Sequence, residues 1–154
     1  MSRNTWLKKE FCDKVVDTIT GFLGERVLAV ILFGSGRDID LLVVVKDRIR
    51  IKEKLGIEYR ITSILHKKFR DLEFDVHIFD YEAFLENLIP NSFLAGLALG
   101  YIVLFDKYGI EEKILEFLKR LSREKRVLIN RYGEWNLSHY ARITLNLKEK
   151  QYRG

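Results

Sequence analysis

The chain has 154 residues, 47% of them apolar and 12% aromatic, and a formal charge of +5. That length normally makes one domain with a real core, and this composition excludes disorder. No apolar run approaches the ~20 residues of a membrane span. The single cysteine, Cys12, excludes an intrachain disulfide. With no signal peptide recognised, it points to a cytoplasmic setting. One proline, one glutamine and one methionine, beside abundant Lys, Arg, Glu, Ile and Leu, lean toward a thermophilic source.

Trp6, Leu7, Phe11, Val15, Ile19 and Phe22 recur at helical spacing before Gly24, so a first helix is expected from about Thr5 to Leu23. Val27 to Phe33 and Leu41 to Val45 are almost wholly apolar and read as interior strands. The basic stretch 46–56 reads as a loop with some helix. Ile57, Ile61, Ile64, Leu65, Phe69 and Leu72 mark a second amphipathic helix over 57–72. A strand at 74–79 follows, then Asp80 as N-cap of a short helix through Leu88. Pro90 and Asn91 break it, helix resumes over 92–99, and a strand is expected at 101–105. Glu111 to Leu121 is helical, with acids in its first turn and bases later. Ile143, Leu145 and Leu147 alternate like a strand but also tolerate a helix, and both stay open. The expected class is α/β (α+β): a small mixed sheet of about four strands with helices packed on it. Residues 1–118 form the main domain, and 119–154 a basic, aromatic extension packed on it.

The chemistry concentrates between the first two strands. Gly34-Ser35-Gly36-Arg37 leads into Asp38-Ile39-Asp40, so two carboxylates stand one residue apart at the mouth of an apolar strand. Side chains two apart share a face, with Cα atoms roughly 6.5 Å apart. Charge at such a mouth is costly unless compensated, and oxygen ligands of this kind hold Mg²⁺. A third acid, Asp75, stands in the later strand, opposite in face to Phe74, Val76 and Ile78. Three carboxylates from two strands suit a two-metal site with ions about 3.5–4 Å apart. His77 shares the face of Asp75 and reads as a packed or hydrogen-bonded residue beside it. A solvated hairpin tip would also place acids here. Asp-x-Asp alone is a weak signal; its setting between two apolar strands, with a third acid later, is a stronger one.

This pattern resembles the DNA polymerase β nucleotidyltransferase superfamily, and its small minimal-nucleotidyltransferase members most closely. The resemblance covers roughly residues 27–106. It implies that Asp38, Asp40 and Asp75 are the catalytic carboxylates and hold two Mg²⁺ ions. It also implies that Gly34 and Ser35 contact the phosphates of a nucleoside triphosphate such as ATP. In that family the linker after the Gly-Ser turn usually runs several residues longer and often carries a helical turn. Here only Gly36 and Arg37 intervene, and Arg37 can supply phosphate-binding charge through its guanidinium fork.

Charge is unevenly placed. Residues 119–154 hold ten Lys and Arg against three acids, a net +7, while the rest of the chain carries −2. Tyr132, Trp135, Tyr140 and Tyr152 are interleaved there with Arg123, Arg126, Arg131, Arg142 and Arg153. Such a pattern suits nucleic acid, and equally a solvated helical face or a docking surface for a partner or second subunit. Two functions follow. One is metal-dependent transfer of a nucleoside monophosphate to an acceptor hydroxyl. The other is an inactive module of the same fold that binds nucleic acid or, as the resemblance implies, a HEPN-like helical protein in a toxin–antitoxin pair.

Overall fold

The structure is a computed structural model that describes residues 8–34, 38–124, 127–130 and 133–153. Helix α1 (Lys9–Leu23) presents Phe11, Val15, Ile19 and Leu23 to the interior, one residue per turn. Gly24 ends it with φ +61°, a conformation that costs glycine little. A 3₁₀ turn (Gly24–Arg26) leads into strand β1 (Val27–Phe33), in which every side chain is buried. Strand β2 (Ile39–Val45) returns antiparallel, with only Asp40 partly open to solvent.

Helix α2 (Ile51–Lys68) crosses over to strand β3 (Phe74–Asp80), which lies parallel to β2. Asp80 caps the short helix α3 (Tyr81–Glu86), its carboxylate accepting from Ala83 N–H at 2.9 Å. A 3₁₀ segment (Phe93–Leu99) precedes strand β4 (Tyr101–Asp106), which pairs antiparallel with β1. The Asp106 carboxylate accepts from the N–H groups of Ile110 and Glu111 at 3.0 and 2.9 Å, which starts helix α4 (Ile110–Arg123). A two-stranded antiparallel sheet, β5 (Val127–Asn130) and β6 (Gly133–Asn136), precedes the closing helix α5 (Leu137–Arg153).

The main sheet has the order β3-β2-β1-β4 and is mixed, as the sequence led us to expect. Its faces are covered separately. Val30, Leu32, Leu41, Val43 and Val45 pack with α1 and α2 on one side. Ala29, Ile31, Phe33, Leu42 and Val44 pack with α3, the 3₁₀ segment, α4 and α5 on the other. Cover on both faces explains why β1 and β2 read as unbroken apolar runs rather than alternating ones. The edge strand β3 is tied to α2, where Glu58 accepts from the Ile78 N–H at 2.8 Å.

Several boundaries differ from expectation. Helix α2 starts at Ile51, not Ile57, and its first turns bury nothing: Ile51 and Leu55 are 76% and 59% exposed. A period argument keyed to burial misses such a segment. The same helix stops at Lys68, so Phe69 and Leu72 pack from the following loop. Residues 92–99 form a 3₁₀ segment capped by the Ser92 hydroxyl, not an α-helix. The segment holding Ile143, Leu145 and Leu147 is helical, and the antiparallel strands β5 and β6 have no counterpart in the expected elements. Thr5 to Leu7, expected to be helical, lie outside the described residues. Among the described residues no helix is long and apolar enough to cross a membrane.

Candidate functional site

One row of residues crosses the sheet at the end where β1 finishes and β2 begins. Phe33 on β1 is paired with Tyr101 on one side and Asp40 on the other, and Asp40 is paired with Asp75 on β3. Strands lie ≈ 4.8 Å apart, so Asp40 and Asp75 are immediate neighbours on one face of the sheet. Asp38 sits in the bend just before β2, half-buried. The structure therefore sets Asp40 and Asp75 side by side on one face, with Asp38 in the bend that leads into β2.

Their electrostatics reflect that crowding. The Asp75 carboxyl is pushed above the usual aspartate range, first by partial desolvation and then by the charges of Asp38 and Asp40, with His77 opposing. His77 stands two residues along β3, and its Nε2 lies 3.2 Å from Asp40 Oδ1. The other oxygen of Asp40 faces Gly34. A Cβ placed on Gly34 would lie 2.4 Å from Asp40 Oδ2, and Gly34 has φ +105°. Both the backbone conformation and the carboxylate beside it demand glycine here.

An aromatic wall stands beside the acids. The Phe93 ring lies 4.3 Å from the His77 ring and 5.3 Å from that of Phe33, centre to centre, and Phe93 remains 48% exposed. On the far side of Gly34 a groove of ≈ 370 Å³ opens between the β1 end and α5, with Tyr101, Tyr140, Ile143, Thr144 and Leu147 in its lining. Phe93 and the α5 side of this region were not among the candidates from sequence. Phe93 reads there as one more apolar residue of a helix, and α5 has no motif.

Ser35 and Arg37, the other expected phosphate-binding residues, lie outside the described residues. The donor chemistry at the site, carboxylate oxygens with one imidazole, fits a hard divalent cation. Among the described residues no three His, Cys, Asp or Glu side chains already converge closely enough to hold a metal ion.

No protein-family model matches the chain, and no curated protein does. Among solved structures it is similar to a tri-AMPylated Shewanella oneidensis HEPN toxin in complex with MNT antitoxin. That likeness has 15% identity, 73% of this chain, 86% of the other and a TM-score of 0.49. It is also similar to the toxin–antitoxin complex MntA-HepT, at 15% identity over 73% of this chain and 84% of that one, TM-score 0.47. A toxin–antitoxin structure with AMP-PNP matches at 15% identity, 70% and 85% coverage and a TM-score of 0.47. Likenesses at this level assign no role to any residue of this chain.

Proposed function

We propose that the chain is a nucleotidyltransferase-like protein that moves a nucleoside monophosphate from a nucleoside triphosphate such as ATP to an acceptor hydroxyl. The observation that carries this reading is the cross-sheet row. Asp40 and Asp75 are paired neighbours, Asp38 precedes them, and Gly34 lies against the Asp40 carboxylate. Two Mg²⁺ ions, held by Asp38, Asp40 and Asp75, would neutralise phosphate charge and lower the pKa of the attacking hydroxyl. His77 holds Asp40 through Oδ1, while Oδ2 lies beside Gly34. Gly34, with Ser35 and Arg37, would lie along the phosphates.

The acceptor oxygen forms a new bond to the α-phosphorus as the bond from that phosphorus to the α–β bridging oxygen breaks. Pyrophosphate leaves with the bond electrons, and the hydroxyl proton passes to Asp75 or to water. Positioning and charge neutralisation supply most of the acceleration in chemistry of this kind. The test is transfer of label from α-labelled ATP to protein or RNA acceptors with Mg²⁺. Asp38→Asn should abolish it while the thermal melt stays cooperative; undiminished transfer in that variant would sink the reading.

A second reading is favoured by one surface. Ile51, Leu55 and Tyr59 form an exposed i, i+4, i+8 stripe on α2, with Tyr59 75% exposed. Together with the short Gly36-Arg37 linker, this suits an inactive module docked on a HEPN-like helical protein. Co-purification with a helical protein encoded beside it, lost in Leu55→Glu and kept in Asp38→Asn, is the expected result. Retention by Leu55→Glu would count against the stripe as the docking surface.

A further inference from the structure

Five of the ten Lys and Arg of residues 119–154 line one groove. Helices α4 and α5 pack side by side and leave a groove of ≈ 620 Å³ between them. Lys119 and Arg123 enter it from α4, four residues apart and so on one helix face. Arg142 and Arg153 enter from α5, eleven residues apart. Eleven residues complete just over three turns, so these two also share a face, ~16 Å apart along the axis. Among the described lining residues Glu149 is the only carboxylate. None of the four cations makes an ion pair with a described residue. Lys148, the remaining basic residue there, is already committed to Glu111 at 3.5 Å and to the face of Tyr101 at 4.1 Å.

Four cations held on one groove with one acid is an arrangement that repels itself, and an extended anion relieves it along the whole length. The groove also has a planar ring, since Tyr152 lines it and is 58% exposed, and apolar walls at Leu115 and Leu145. A row of cations beside an exposed ring fits a chain of phosphates carrying stackable bases better than it fits a flat lipid surface. We propose that the α4–α5 groove binds single-stranded nucleic acid, contacting the backbone through Lys119, Arg123, Arg142 and Arg153 and one base through Tyr152. This assignment is independent of the carboxylate site.

The experiment is fluorescence anisotropy of the full chain with a labelled single-stranded RNA 12-mer and its DNA counterpart across a salt series. Four phosphate contacts give a log–log salt slope of about −3, a loss of roughly fifty-fold in affinity between 50 and 200 mM salt. The Lys119→Ala/Arg123→Ala/Arg153→Ala variant should bind at least tenfold more weakly, with the slope reduced by about 2. A control, Lys52→Ala/Arg60→Ala/Lys67→Ala, removes equal charge from the exposed side of α2 and should bind like wild type. Equal weakening in both variants would overturn the proposal, because net charge alone would then explain binding. Binding to phosphatidylglycerol vesicles with none to either oligonucleotide would overturn it as well.

Discussion

Replacing Gly34 by alanine probes the site through its tightest contact. The added Cβ would stand 2.4 Å from Asp40 Oδ2, about 1 Å inside ordinary contact, and φ +105° is unfavourable for any L side chain. The backbone strain alone costs about 2 kcal/mol. To clear the new methyl group the Asp40 carboxylate must turn, which pulls Oδ1 away from His77 Nε2 at 3.2 Å. That hydrogen bond, partly exposed to solvent, contributes about 1 kcal/mol. The wild-type background therefore loses about 3 kcal/mol, a fall in Tm of roughly 6–12 °C for a chain of this size. In an Asp40→Ala background the clash and the hydrogen bond are already gone, so the same change costs only the ~2 kcal/mol of strain. Urea denaturation of the four proteins measures the difference as a coupling of about 1 kcal/mol. Additive losses, equal in both backgrounds within ~0.4 kcal/mol, would refute the contact between Gly34 and Asp40.

Three further outcomes follow from other contacts. The raised pKa of Asp75 means that the native state holds its proton more tightly than the unfolded chain does. Its ionisation therefore lowers stability as pH rises through the native pKa, and this loss is absent below the ordinary aspartate range. Asp75→Asn should raise Tm at pH 7 and give no gain near pH 3; an equal gain at both would contradict the cause. Lys148→Ala leaves the largely buried Glu111 carboxylate without its ammonium partner and should cost about 3 kcal/mol in urea. Most of that should return in Lys148→Met/Glu111→Gln. Thr144→Val removes the buried bond from the Thr144 hydroxyl to the Ala98 carbonyl at 2.7 Å, which joins α5 to the 3₁₀ segment. A loss of about 1–2 kcal/mol is expected, and none would show that this bond does not hold the helix in place.

The elements most legible in the sequence are those whose burial is written in their residues. Strands β1 and β2 are buried on both faces, so unbroken apolar runs disclose them. Strand β3 alternates because Phe74, Val76 and Ile78 are buried while Asp75 is exposed, and Asp80 is the cap it was read to be. The early start of α2 was hidden because Ile51 and Leu55 face solvent. Helix α5 was ambiguous because the stretch around Ile143 and Leu147 lies at the surface, while its burial falls on Ala141, Thr144 and Lys148. No apolar pattern marks a helix whose inward residues include a threonine and a lysine. At the site, the chain order of Gly34, Asp38, Asp40 and Asp75 was visible, but the sheet register that pairs Asp40 with Asp75 was not. Neither was the contact from His77 to Asp40, nor Phe93 beside it, since both depend on how β3 and the 3₁₀ segment meet β2.

We propose a metal-dependent nucleotide site on Asp38, Asp40 and Asp75. Calorimetric titration of ATP with Mg²⁺ or Mn²⁺ tests it most directly, in the wild type and in Asp38→Asn/Asp40→Asn. Binding should require the metal and disappear in the double variant. Binding of equal strength in both proteins, or none in the wild type, would contradict it.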